Sequence, residues 1–330
     1  MTFDPNIFYY TVQTASILPS LAIVVLYTSL GTHPTLVALA LSMIGASVSN
    51  SWVAYAGYSE NPQTLAKTAF CRVQGIFTTI FTVMPVLFTF CITLNLWLMI
   101  VRKSTNTEAR LFRWYIFSTL LITTLFTILG IAIGDWNDKR AGGYGNAISM
   151  SNYSCVLQNA LGRDLGLVTP FGIFAFGGVL LLAHITWSLF RHRQLIRRNF
   201  DPSVIMQSNR GKAMGISLSI CIRMLIFCVS YFGLAINYVA QRIDDEINPT
   251  DPHPPGSIKI PLAFFGFIIF LVFGTTLEAR RQYIPKWFPG SSFLLSVASP
   301  SRSRQDRTTT ETYSMGEYSI SDSQLVKEQE

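Results

Sequence analysis

Residues 73–101 read VQGIFTTIFTVMPVLFTFCITLNLWLMIV, without one Asp, Glu, Lys or Arg, between Cys71-Arg72 and Arg102-Lys103. As an α-helix at 1.5 Å per residue the stretch is about 43 Å long. A bilayer's hydrocarbon core is roughly 30 Å thick. Only helices and closed barrels satisfy every backbone polar group in lipid. This run is too long and too continuously apolar for a barrel strand, so it predicts a membrane helix. Its excess length predicts tilt or extension beyond the membrane.

Six further runs flank it: Thr11–Leu30, Thr35–Gly57, Trp114–Ile133, Gly166–Phe190, Met214–Ala240 and Ile260–Leu277. With Val73–Val101 they make seven spans, and an odd number puts the termini on opposite sides. Composition agrees. The chain is 50% hydrophobic and 13% charged, where a soluble chain averages roughly 25% charged. The predicted fold is all-α, a seven-transmembrane helix bundle with a disordered cytoplasmic tail. The organisation is an extracellular N-terminus at 1–10, a membrane domain at 11–281 and a Ser/Thr-rich tail at 282–330. Pro19 and Pro85 predict kinks in their helices. Met1–Tyr10 holds no Lys or Arg, hence no basic start of a cleavable signal, and the first helix is expected to act as its own anchor.

Lys and Arg near helix ends set orientation. One group of loops carries Arg102, Lys103, Arg110, Arg113, Arg191, Arg193, Arg197, Arg198, Arg210, Lys212, Arg280, Arg281 and Lys286. The other carries the smaller set Lys67, Arg72, Lys139, Arg140, Arg163, Arg242 and Lys259, mixed with acids. The first group is therefore expected to be cytoplasmic, which predicts a multi-pass plasma-membrane protein with its N-terminus outside. Asn152-Tyr153-Ser154 is a glycosylation acceptor in the long loop before the fifth span, on the predicted outside. Of five cysteines, Cys91, Cys221 and Cys228 lie inside spans. Cys71 and Cys155 fall outside the membrane, where oxidation is allowed, and are expected to pair.

A cysteine at the outer start of the third helix, bonded to one in the second outer loop, resembles the pattern of G-protein-coupled receptors. The run Cys71-Arg72-Val73-Gln74-Gly75-Ile76-Phe77 is similar to the third helix's outer start in cAMP-receptor-like receptors of fungi and slime moulds. Leu94-Asn95-Leu96-Trp97-Leu98 is similar to the inner end of that helix. Ile222-Arg223-Met224-Leu225 and Phe273-Gly274-Thr275-Thr276-Leu277-Glu278-Ala279-Arg280 resemble fungal lipopeptide-pheromone receptors. The resemblance implies a receptor that passes an extracellular chemical signal, small molecule or peptide, to a heterotrimeric G protein. It implies no enzyme, no cofactor and no nucleic acid. It also implies G-protein contacts at Arg102, Lys103, Arg191, Arg193, Arg197 and Arg198. Those charges also set topology and meet anionic lipid, and both readings hold together.

Departures narrow the class. The third span ends Ile100-Val101-Arg102-Lys103, without an acidic-Arg-aromatic triplet, and the last span lacks Asn-Pro-x-x-Tyr. No Lys lies between Pro261 and Leu277, so no retinal Schiff base is expected. A zinc-dependent hydrolase needs several histidines and an acid in the bundle. The only histidine within the spans, apart from any at their edges, is His184, and no metal is expected. A fungal seven-helix lipid-translocating or transport protein is the alternative, because its sequence demands are loose.

Arg223 is the one deep cation, and intramembrane charge is a functional-site hypothesis by default. Two readings stay open. Arg223 bonds carbonyls or polar groups such as Asn95 and holds an inactive state, or it snorkels to the inner interface. Trp52, Tyr55, Gln74, Thr78, Thr82, Asn237 and Tyr238 are candidate ligand-binding residues in the outer half. Gln74, Thr78 and Thr82 share one helical face. Helix–helix hydrogen bonding without a ligand is the other reading of the same residues. In the tail, Ser301, Ser303, Thr309, Thr310 and Thr312 lie beside Arg or Glu in a composition that cannot bury a core. They are expected to be phosphorylated.

Overall fold

In the computed structural model the first apolar span is two helices, α1 Pro5–Ala15 and α2 Ile17–Leu30, parted at Ser16. Pro19 explains the break. Its ring crowds the carbonyl four residues back, at Ala15, and it has no N–H to donate there. The Ser16 hydroxyl turns onto the Gln13 carbonyl at 2.7 Å. α2 ends at Gly31, whose left-handed φ of 62° closes the helix, a conformation glycine adopts freely.

Further along come α3 Pro34–Tyr55, α4 Ala69–Ile100 and α5 Thr107–Arg140. A short hairpin follows, β1 Ile148–Met150 and β2 Cys155–Leu157, then α6 Ala160–Arg163. A π-helical turn at Asp164–Val168 leads directly into α7 Thr169–Asn199. α8 Leu218–Ile247 and α9 Phe265–Ile269 complete the set, the last running on into a π-helical Phe270–Gly274. The structure describes residues 5–31, 33–55, 69–102, 107–143, 147–150, 155–157, 159–199, 218–247 and 264–274. Asn152, Lys103 and the tail sites Ser301, Ser303, Thr309, Thr310 and Thr312 lie outside them.

Six stretches are long and apolar enough to cross a membrane, and Phe265–Gly274 is a shorter apolar helix. The fold is thus a helical membrane bundle, and the boundaries differ from the sequence reading in an instructive way. α5, the fourth membrane span, outruns its apolar stretch at both ends. Glu108 sits in its first turn and Lys139 and Arg140 in its last, the arrangement that the helix dipole favours. Pro85 sits within α4 and does not end it. Thr89 donates to the Pro85 carbonyl at 2.8 Å.

α4 is the central element. It packs on α3, α5, α7 and α8, and 67% of its membrane window is buried, against 22% for α5. Its threonines Thr79, Thr89 and Thr93 satisfy themselves on carbonyls one turn back, so they can be buried without interhelical partners. The seventh segment packs on α2 and α8 through aromatic rings. Tyr231 meets Phe265 edge-on at 4.6 Å and Phe227 meets Phe273 at 5.5 Å. Edge-to-face pairs of this kind each contribute about 0.5–1.5 kcal/mol beyond area burial.

Candidate functional site

At one end of the bundle Cys71, near the start of α4, is bonded to Cys155 of β2, with Cα atoms 5.4 Å apart. The bridge lies in a small core of Cys71, Ala147, Ile148, Cys155 and Leu157, with Ile76 and Ile131 against it. The two strands pair antiparallel with Met150 opposite Cys155. Asp135 of α5 fastens the same cap, accepting from Arg72 Nη2 at 2.8 Å and from the Ala147 N–H at 2.8 Å. Glycine lets the hairpin lie directly on helix backbone. A Cβ at Gly75 would stand 2.5 Å from Ile148 Cγ2, and one at Gly134 would stand 2.6 Å from Ala147 Cβ.

Below this cap α3 and α4 share a polar seam. Gln74 is fully buried and its Nε2 donates to the Ser49 carbonyl at 2.9 Å. Its Oε1, the Thr78 hydroxyl and the Ser51 hydroxyl are buried without a hydrogen-bond partner among the described residues. Unsatisfied buried polar atoms cost about 1–3 kcal/mol each, so water or a ligand group would be stabilised beside each of them. Thr82 is half-buried further along the same helix.

The other candidate ligand residues are more scattered. Trp52 is exposed and meets Phe70 edge-on at 5.4 Å. Tyr238 is buried against Phe171 at 5.3 Å, while its neighbour Asn237 is exposed. Tyr55 is the last residue of α3, and its side chain lies outside the described residues. A groove of about 640 Å³ is lined by Tyr10, Thr11, Thr14, Ala15, Ile17, Leu18 and Ser51, and so touches the seam only at Ser51. It includes none of the candidate ligand residues, which sequence reasoning had placed on later helices.

The opposite end carries two side chains that reach the seventh segment. Arg223 Nη1 donates to the Val272 carbonyl at 3.1 Å, and Tyr27 Oη donates to the Phe273 carbonyl at 3.3 Å. Both acceptors belong to the π-helical turn, a feature frequent at functional sites. Arg223 is thus held on a carbonyl. Asn95 Oδ1 accepts from Tyr115 Oη at 2.8 Å, tying α4 to α5, and Asn95 Nδ2 is buried without a partner among the described residues. Substituting Tyr115→Phe leaves both polar atoms of Asn95 unpaired. The expected loss is about 1–3 kcal/mol, read as a lower thermal midpoint in detergent; an unchanged midpoint would show that the bond contributes nothing.

Nearby, His33 adopts φ 52° between α2 and α3, an uncommon conformation for a residue with a side chain. Its Nδ1 lies 3.0 Å from Glu108 Oε2, and Glu108 Oε1 accepts from the Thr35 N–H at 3.1 Å. Of the residues expected to meet a G protein, Arg102 and Arg191 are exposed at this end. The helix α7 contains Arg193, Arg197 and Arg198, whose side chains lie outside the description.

No protein-family model and no curated protein matches the chain. Among solved structures the chain is similar to the crystal structure of squid rhodopsin, with a TM-score of 0.61 over 91% of this chain and 90% of that one. The chain has the rhodopsin-like bundle fold. At 15% identity the likeness is one of architecture, and function is not transferred with it.

Proposed function

We propose that this chain is a G-protein-coupled receptor, transmitting an extracellular chemical signal to a heterotrimeric G protein from the plasma membrane. The observation that carries the reading is the bundle itself, alike to rhodopsin over nearly the whole of both chains. Two local features support it. A disulfide-pinned hairpin lies over one end of α4, and paired contacts grip the last segment at the other. In this reading the disulfide end faces outward and the Arg102–Arg191 end faces the cytoplasm.

The ligand would meet the α3–α4 seam at Gln74, Thr78 and Thr82, with Trp52, Tyr55, Asn237 and Tyr238 as outlying candidates. Gln74 offers an acceptor, and the Thr78 and Ser51 hydroxyls offer both a donor and an acceptor. Arg102, Lys103, Arg191, Arg193, Arg197 and Arg198 would meet the G protein. Asn152 would carry a glycan and the tail threonines and serines phosphate. The subtype proposed is the cAMP-receptor-like fungal one, on the third-helix resemblance. The lack of a Lys between Pro261 and Leu277 sets the chain apart from a retinal pigment.

The test is nucleotide exchange on a co-expressed Gα, with sugars, cAMP, lipids and lipidated peptides applied as separate pools. A receptor raises exchange with one pool. A chain that moves labelled lipid between leaflets and never alters exchange is a translocator, and the proposal fails.

Arg223 supplies a second test. Its bond to Val272 joins α8 to the seventh segment, so losing it should free that contact. Arg223→Ala is expected to raise basal exchange several-fold, and Tyr27→Phe to act in the same direction more weakly. Basal and stimulated exchange both unchanged in Arg223→Ala would reduce the arginine to an interface anchor.

A further inference from the structure

One polar pair faces the lipid rather than the bundle. Half-buried Trp97 of α4 donates its Nε1–H to Nδ1 of exposed His184 on α7 at 3.0 Å. The indole is a donor only, so Nδ1 must be the acceptor. The neutral imidazole then carries its hydrogen on Nε2, and among the described residues that N–H has no partner. A donor at membrane depth without a partner is unstable in hydrocarbon, so the position asks for an acceptor from outside the chain.

Its surroundings define that acceptor. The Arg102 guanidinium stands over the Trp97 ring, 5.6 Å from its centroid, and is exposed without a carboxylate partner among the described residues. Arg191 is exposed two turns beyond His184 on the same helix. His184 is about 10 Å from Arg191 along the helix axis, just inside the interface. Above it the exposed face of α7 is apolar: Leu180, Phe176 and Ile173 are 55%, 62% and 56% exposed. Phe90 packs against Phe174 at 5.5 Å and closes the helix pair behind them. Donors and positive charge at the interface, continued by an apolar track into the bilayer, match the shape of one phospholipid.

We infer that Trp97, His184 and Arg102 form a binding site for the phosphate of an anionic phospholipid, in the leaflet at the Arg102–Arg191 end. His184 Nε2–H and the guanidinium hold the phosphate oxygens, Trp97 fixes the imidazole, and an acyl chain follows Leu180 and Phe176. The site does not rest on G-protein coupling.

Native mass spectrometry of the full chain, titrated with phosphatidylserine or phosphatidylcholine, tests it. Wild type is expected to retain phosphatidylserine preferentially. His184→Phe and Arg102→Gln each lower that retention about tenfold, the scale of one charge-assisted hydrogen bond. His184→Gln keeps an N–H at similar reach and stays near wild type, which separates a lost donor from a misfolded helix. Arg110→Gln, an exposed arginine at the same end on α5, has no effect. Equal retention of both lipids, or an equal loss in Arg110→Gln, overturns the site. So does displacement of the lipid by inorganic phosphate, which would make the ligand a soluble anion.

Discussion

Cys71→Ser is expected to destabilise the bundle by about 4–5 kcal/mol. The bridge joins residues 84 apart in sequence, and loop-closure entropy for a ring of that size gives this value. It is an upper value, because helices already inserted in lipid leave less chain free in the unfolded reference. Three features show what else the bridge holds in place. Cys71 and Cys155 are both fully buried, so one thiol and one hydroxyl would be left in a core built around the bridge. Cys155 closes the register of the hairpin, opposite Met150. Ile148, on the adjoining strand, and Ala147 just before it fill the same core. At about 2–4 °C per kcal/mol for a chain of a few hundred residues, the thermal midpoint in detergent should fall by roughly 10 °C. Cys155→Ser should match it, and the double variant should be no worse, since one bond is lost only once. A double variant whose loss is the sum of the singles would mean that each cysteine acts through its own packing, not through the bridge. In the receptor reading, ligand-stimulated exchange should also fall, because the hairpin covers the end of the α3–α4 seam.

The order of helices, the cysteine pair and the buried Gln74–Thr78 face were legible because each leaves a one-dimensional mark. Charge stops at Arg102, and a cysteine stands outside a span. A turn-spaced pair of polar residues interrupts an apolar run. Other features leave no such mark. The strands Ile148–Met150 and Cys155–Leu157 are too short for a period of two to show. The break at Ser16 follows from Pro19, but Pro85 leaves its helix running, so proline alone does not say which helix will part. Trp97 and His184 lie 87 residues apart, and nothing local in either stretch predicts that they meet. Arg223 was legible as a cation with carbonyl or polar partners while the particular carbonyl was not, because a backbone carbonyl has no residue type to read. His33 and Glu108 are likewise 75 residues apart, and nothing local in either stretch predicts their contact.

The second large effect is expected at Gly130, where Gly130→Leu should abolish the folded bundle or cut its yield severely. Gly130 and Gly134 on α5 face Gly162 and Gly166, two pairs each spaced four apart, so both pairs lie along one helical face. A Cβ at Gly130 would stand 2.7 Å from the Gly162 carbonyl oxygen and 2.8 Å from the Gly166 Cα. A Cβ at Gly162 would stand 2.6 Å from the Gly130 carbonyl oxygen. The obstruction in each case is backbone, which cannot turn aside as a side chain can. Small residues are the means by which membrane helices bring their backbones together, where lipid gives no hydrophobic drive. Overpacking in a well-packed core costs about 1–3 kcal/mol and sometimes more. Here the helices must separate, and the displacement reaches the hairpin through Gly134 and the Asn159 cap, whose Oδ1 accepts from the Gly162 N–H at 3.3 Å. Gly130→Ala should fall between wild type and leucine, and Gly172→Ala, where a Cβ meets nothing within 4 Å, should be neutral. Size-exclusion yield and thermal midpoint measured across this series decide the matter. If alanine at Gly130 and at Gly172 behave alike, the close approach of α5 to the start of the fifth span does not hold in the folded protein.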